Sequence, residues 1–200
     1  MRKRLSLALI APVLMLTACQ RLGGDDNAVQ SSAAVSPPAT VPSDILPLDQ
    51  VKKSQASWVT QTVANTEIAV TYSRPVARGR KLFGALVPYG EIWNPGADQA
   101  TAIAFNRSVQ INGHALPAGK YSIWALPGED EWTMIFSKAA DVLHTPYPGE
   151  QHDAMRITVK PETGTHMETL AFYFPVVEGK DAILRLHWGD VIVPMALTVQ

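Results

Sequence analysis

The residues with the most chemistry to offer lie close together between Arg74 and Asp98. Arg74 and Arg80 carry planar guanidinium groups that can hold a carboxylate, a phosphate or a pair of sugar hydroxyls through forked hydrogen bonds. Tyr89 and Trp93 offer rings on which a guanidinium or a sugar face can stack, and Asn94 and Asp98 add an amide and a carboxylate. Arg74, Arg80, Tyr89, Trp93, Asn94 and Asp98 are therefore the expected contacts of a small anionic or glycan-like ligand, or of an envelope protein partner. A second expectation is structural: arginines in long loops pin the backbone by donating to carbonyls or by pairing with Glu91 or Asp98, their stems lying on rings. A third is catalytic, a hydrolase or isomerase in which Arg74, Arg80 and Tyr89 work with a carboxylate from Glu91 or Asp98.

Elsewhere the sequence assigns no catalytic residue and implies no cofactor. The five histidines stand at no metal-ligand spacing, and only an assembly of distant residues such as His152, His166 and His187 would make a zinc site, so no metal is expected. Ser73, Ser122 and Ser137 occupy no glycine-flanked elbow. Asp141 with Glu150 would serve as acid and base only at a suitable separation. The five tryptophans, Trp58, Trp93, Trp124, Trp132 and Trp188, can be read as a sugar-stacking platform, but Trp124 and Trp132 flank one hairpin turn and read as core, and only Trp93 sits in a loop that favours exposure.

The elements that must carry these residues are strands. Ile68, Val70 and Tyr72 alternate with Ala69 and Thr71, and Tyr121, Ile123 and Ala125 alternate with Ser122, Trp124 and Leu126. Trp132 to Phe136 behaves likewise, and Met155, Ile157 and Val159 oppose Arg156, Thr158 and Lys160, a strand with one wet face. Leu184, Leu186 and Trp188 share a face opposite Arg185 and His187. Turn chemistry separates the runs at Asn112-Gly113, Pro117-Ala118-Gly119, Pro127-Gly128, Glu178-Gly179 and Gly189-Asp190. The pattern predicts an all-β fold, an antiparallel β-sandwich of jelly-roll or immunoglobulin-like type with about nine to eleven strands. At most one turn of helix fits between Ser137 and Asp153. The stretch from Arg74 to Asp98 breaks the alternation with prolines and glycines, and its apolar side chains require that it pack on something.

The N-terminus places this domain. Arg2, Lys3 and Arg4 precede an apolar run from Leu5 to Leu16, shorter than the roughly 20 residues of a membrane span. The run ends in Leu16-Thr17-Ala18-Cys19, which resembles a bacterial lipobox: Cys19, the only cysteine, would be acylated and become the first residue of the mature chain. Residues 1–18 then form a lipoprotein signal peptide, 19–50 a disordered Ser/Ala/Pro-rich tether and 51–200 the β-sandwich domain. Gln20 after the lipidated cysteine favours the outer membrane, facing the periplasm. Removing residues 1–18 takes away three of the 17 basic residues and none of the 18 acidic ones, so a nucleic-acid partner is not expected. The membrane partner is reached through lipid on Cys19.

Tyr72-Ser73-Arg74-Pro75, Gly79-Arg80, Phe83-Gly84, Leu86-Val87-Pro88-Tyr89-Gly90 and Trp93 occur in that order, followed by Leu116-Pro117-Ala118-Gly119-Lys120-Tyr121-Ser122, Pro127-Gly128 and Trp132-Thr133. This series resembles the signature of the bacterial family called domain of unknown function 2911, across roughly residues 50 to 200. The resemblance implies an exported, often lipid-anchored β protein and brings no activity with it. After Trp93 the family commonly has Arg-Thr-Gly-Ala-Asn, where this chain has Asn94-Pro95-Gly96-Ala97-Asp98. An anion site at that corner would be weaker here.

Overall fold

The computed structural model describes residues 53–200; the expected signal peptide (residues 1–18), the expected lipidation site Cys19 and the expected tether (19–50) lie outside the described residues. The alternating runs are realised as ten strands: β1 (Gln55–Val63), β2 (Thr66–Arg74), β3 (Ala102–Phe105), β4 (Val109–Ile111), β5 (His114–Leu116), β6 (Gly119–Leu126), β7 (Trp132–Ser137), β8 (Asp153–Val159), β9 (Glu162–Glu178) and β10 (Asp181–Val199). They form a six-stranded sheet in the order β1-β2-β3-β6-β7-β8 and a four-stranded sheet in the order β5-β4-β10-β9. Every strand pair is antiparallel. The all-β, sandwich-like architecture follows from the period of two, because each strand turns one row of side chains into a shared core.

That core is built from Ile68 and Val70 of β2, Ile103 of β3, Ile123 of β6, Met134 and Phe136 of β7, and Leu184, Leu186 and Met195 of β10, all essentially inaccessible to water. A smaller cluster of Ala100, Trp124 and Ile135 forms on the outer face of the six-stranded sheet, where Ile92, Val142 and Tyr147 cover it. Strands β6 and β7 are thereby buried on both faces, and Trp124 and Trp132 point to opposite sides of the sheet. The segment between Ser137 and Asp153 holds a single 3-10 turn at Glu150–His152. It is tied to β8 by Tyr147, whose hydroxyl donates to Asp153, and by Arg156, which bonds Glu150 and Asp153.

The turns mostly follow their residues. Asn112 and Gly113 both have positive φ, 48° and 81°, in the two-residue turn joining β4 to β5. Gly189-Asp190 departs from expectation: it is not a turn but an irregularity inside β10, where the register with β9 shifts on both sides of Gly189. Gly189 has a φ of 58°, and a Cβ there would come within 2.8 Å of the Leu82 side chain, so the bulge also lets the long loop approach the sheet. Strands of 17 and 19 residues are longer than the sequence pattern suggested. Their prolines fall where no ladder bond is needed: Pro175 lies at a register shift on edge strand β9, and Pro194 lies between the stretch of β10 that pairs with β9 and the stretch that pairs with β4. His187, placed opposite the apolar row of β10, is nevertheless buried, with its Nδ1 3.4 Å from the Tyr173 hydroxyl.

Candidate functional site

The stretch after β2 begins as a clamp between the two sheets. The Tyr72 hydroxyl accepts from the Phe172 N–H at 3.1 Å while the two rings meet edge to face. Arg74 Nε donates to the Leu170 carbonyl at 2.9 Å, the Leu170 N–H donates to the Pro75 carbonyl at 3.0 Å, and the Ala77 N–H donates to the Glu168 carbonyl at 2.7 Å. The chain thus leaves the six-stranded sheet and lies along the outer edge of β9, giving those backbone groups a partner.

The next residues fold back on themselves. Arg80 donates from Nε to the Ala77 carbonyl and from Nη2 to the Val76 carbonyl, at 2.8 and 2.7 Å. Leu82 and Val87 are buried, and the Val87 N–H closes the turn onto the Leu82 carbonyl. Tyr89 lies over Gly84, where a Cβ would come within 2.8 Å of the ring. Trp93 exchanges both backbone hydrogen bonds with Ala125 of β6. Its ring stacks on Trp188 at 5.9 Å between centroids, and Phe83 packs edge to face against Trp93, Trp132 and Trp188. Asn94, 1% exposed, donates from Nδ2 to the Ile123 carbonyl at 2.7 Å and accepts the Thr101 N–H at Oδ1 at 3.1 Å. The Thr101 hydroxyl donates to the Pro95 carbonyl, which fixes the corner a second time.

Beside this loop opens a cleft of about 460 Å³. Lys53, Arg78, Arg80 and His144 supply its charged and imidazole groups, Trp93 and Trp188 its aromatic surface, and no carboxylate is among the described residues that line it. Among the described residues, the side chains of Lys53 and Arg78 make no hydrogen bond or ion pair. The arrangement can do one thing well: hold an anion by Coulomb attraction and charged hydrogen bonds beside the partly buried Trp93.

Glu168 of β9 ties the loop to an exposed histidine. Its carboxylate accepts the Arg78 N–H at 2.6 Å and faces His166 Nε2 at 3.1 Å, while His166 Nδ1 faces Asp190 at 3.1 Å. Hydrogen bonding to Glu168, then to Asp190, raises the His166 pKa, and the bonds from His166 and the Arg78 N–H lower that of Glu168. The raised histidine contributes stability that is fully present below its unfolded pKa of about 6.5 and is lost as pH rises through the folded value. The lowered carboxylate contributes stability present above its unfolded pKa and lost as pH falls through the folded one. An NMR titration of the imidazole should give a midpoint above the ordinary histidine value, and Glu168→Gln should bring it down; an unmoved midpoint would contradict this pairing.

The six expected ligand residues are not brought to one place. Arg80 and Trp93 line the cleft, and Asp98 lines a different groove on the outer face of the six-stranded sheet. Arg74, Tyr89 and Asn94 line neither: Arg74 holds β9, Tyr89 covers Gly84, and Asn94 is enclosed by backbone groups it bonds. Trp93 is packed among rings rather than displayed on a loop. Arg74, Arg80, Tyr89 and a carboxylate from Glu91 or Asp98 likewise do not converge on one cavity. Sequence reasoning missed Lys53, Arg78, His144 and Trp188; the usable signal was Arg78-Gly79-Arg80, two arginines flanking a glycine that reverses the chain. His166 and His187 lie with separate partners, and among the described residues no three or more His, Cys, Asp or Glu side chains are placed to hold one metal ion.

Two antiparallel sheets closed at one corner by a long, internally bonded Arg/Gly/aromatic loop define a class of β-sandwich domain. The chain matches the family described as protein of unknown function (DUF2911) over residues 54–197, and it belongs to that family. No curated protein and no solved structure matches it.

Proposed function

We propose that this domain is a binding module of the bacterial envelope, held to the outer membrane by lipid on Cys19 and facing the periplasm, that takes a small anionic ligand in the cleft beside the Arg74 to Asp98 loop. One observation carries the reading: the cleft gathers Lys53, Arg78, Arg80 and His144 with no carboxylate among its described lining residues. Arg78 is the leading contact, because its guanidinium has no other partner among the described residues. Arg80 is already committed to two carbonyls and supplies charge more than new hydrogen bonds. The part of Trp93 left uncovered by its packing on Trp188 gives an apolar portion of the ligand a small contact surface.

A second reading, a purely structural module, draws support from the bonds of Arg74 and Arg80 to the Leu170, Ala77 and Val76 carbonyls. Calorimetric titration of the full-length protein with inorganic phosphate and with an oligogalacturonate separates the two. Arg78→Ala should weaken anion binding about tenfold or more, the loss of one charged hydrogen bond, while stability stays within about 0.5 kcal/mol. Arg74→Ala should do the reverse, costing about 1–2 kcal/mol of stability and sparing affinity. Failure of both anions to bind, or binding indifferent to Arg78→Ala, leaves the structural reading in possession of the loop.

A further inference from the structure

Of the tryptophans, Trp58 has by far the freest indole: it is 40% exposed, whereas Trp124, Trp132 and Trp188 are 3% or less and Trp93 lies within the aromatic cluster. It stands opposite Thr71 on β1, in the row facing away from the core, since its neighbour Val59 is the residue that packs inward. The ring forms one wall of a groove of about 490 Å³ on the outer face of the six-stranded sheet, sharing only Ser54 with the cationic cleft. Ala100 and Ala102 line it with little side-chain volume, which keeps it open. Gln99 and the Lys120–Asp141 ion pair supply polar groups.

The chemistry of this groove differs from that of the cleft. Lys120, its one lysine or arginine, is paired with Asp141, and Asp98 adds a second carboxylate to the lining, so nothing draws an anion in. Amide, carboxylate and ammonium groups placed beside an exposed indole match a ligand with vicinal hydroxyls on one side and a row of C–H groups on another. A pyranose ring has that build: its C–H face meets the electron-rich indole face, and its hydroxyls both donate and accept. We propose that this groove is a second binding site, for a neutral saccharide, with one sugar ring on Trp58 and its hydroxyls on Gln99 and the Lys120–Asp141 pair.

The test is titration of the full-length protein with chitotetraose, cellotetraose and maltotetraose, followed by calorimetry and by tryptophan fluorescence. At least one should bind saturably below about 10 mM, with Trp58→Ala weakening it about tenfold and Trp58→Tyr retaining most of the affinity. Because Trp58 lies outside the buried core, both variants should stay folded, with Trp58→Ala lowering the melting temperature by no more than a few degrees, and circular dichroism checks that they fold. The proposal is overturned if none of the three sugars binds, if Trp58→Ala leaves affinity unchanged, or if Arg78→Ala abolishes the binding instead.

Discussion

Asn94→Asp is expected to remove about 3–5 kcal/mol of unfolding free energy at pH 7, and much less at pH 4. The substitution is nearly isosteric and opens no cavity, so its effect isolates the polar corner of the loop. Asn94 is 1% exposed, and its Nδ2 donates to the Ile123 carbonyl while its Oδ1 accepts from Thr101. A carboxylate keeps the second bond and destroys the first, setting a buried negative charge against a carbonyl oxygen. Burial and that repulsion raise the folded pKa of the introduced carboxyl above its unfolded value of about 3.9. A group so raised keeps its contribution below the unfolded pKa, where its neutral O–H can replace the lost donor, and forfeits it as pH rises through the folded value. Urea unfolding at the two pH values measures the difference. Equal losses at both, or a loss under about 1 kcal/mol, would mean the corner is not the anchor the hydrogen bonds describe.

Trp188→Ala is expected to cost about 4 kcal/mol, again by urea unfolding. Trp188 is 3% exposed, stacks on Trp93 with an interplanar angle of 15°, meets Phe83 edge to face, and donates from Nε1 to the Glu168 carbonyl. Truncation removes a large apolar surface, leaves a void under the loop, and deprives Trp93 and Phe83 of the partner that fixes their orientation. Trp188→Phe should recover a good part of the loss, since ring contact returns without the indole N–H. If alanine costs under about 2 kcal/mol, the loop is held by its backbone bonds alone.

Strand order along the chain was legible because β2, β6, β7 and β8 each bury one row of side chains and wet the other or meet a second cluster; Ile68, Val70, Ile157 and Val159 are buried as their alternation requires. The extents of β9 and β10 were not legible. Gly164, Pro175, Gly189 and Pro194 interrupt the pattern as turns would, and only the register with neighbouring strands reveals that they sit at irregularities or unpaired stretches. For the candidate site, residue type identified the loop but not the role of each side chain. Asn94 looks like a ligand contact until the carbonyl of Ile123, distant in sequence, is seen to take its amide. The same holds for Arg74 and Leu170. Trp58 belongs to the set of tryptophans that the sequence offers as a sugar-stacking platform, but the sequence favours exposure of Trp93 instead, because exposure depends on which edge β1 occupies, and that is a property of the sheet order.

The clamp at the end of β2 joins residues far apart along the chain: the Tyr72 hydroxyl to the Phe172 N–H across 100 positions and Arg74 to Leu170 across 96. Such bonds can form only after most of the chain has been brought to its place, because the entropy of closing so long a loop must be met first. We expect them on the late, downhill side of the folding barrier, so that Arg74→Ala speeds unfolding more than it slows folding in stopped-flow measurements. The Tyr-Ser-Arg-Pro motif is in this sense a timing device: it lengthens the life of the folded state once reached.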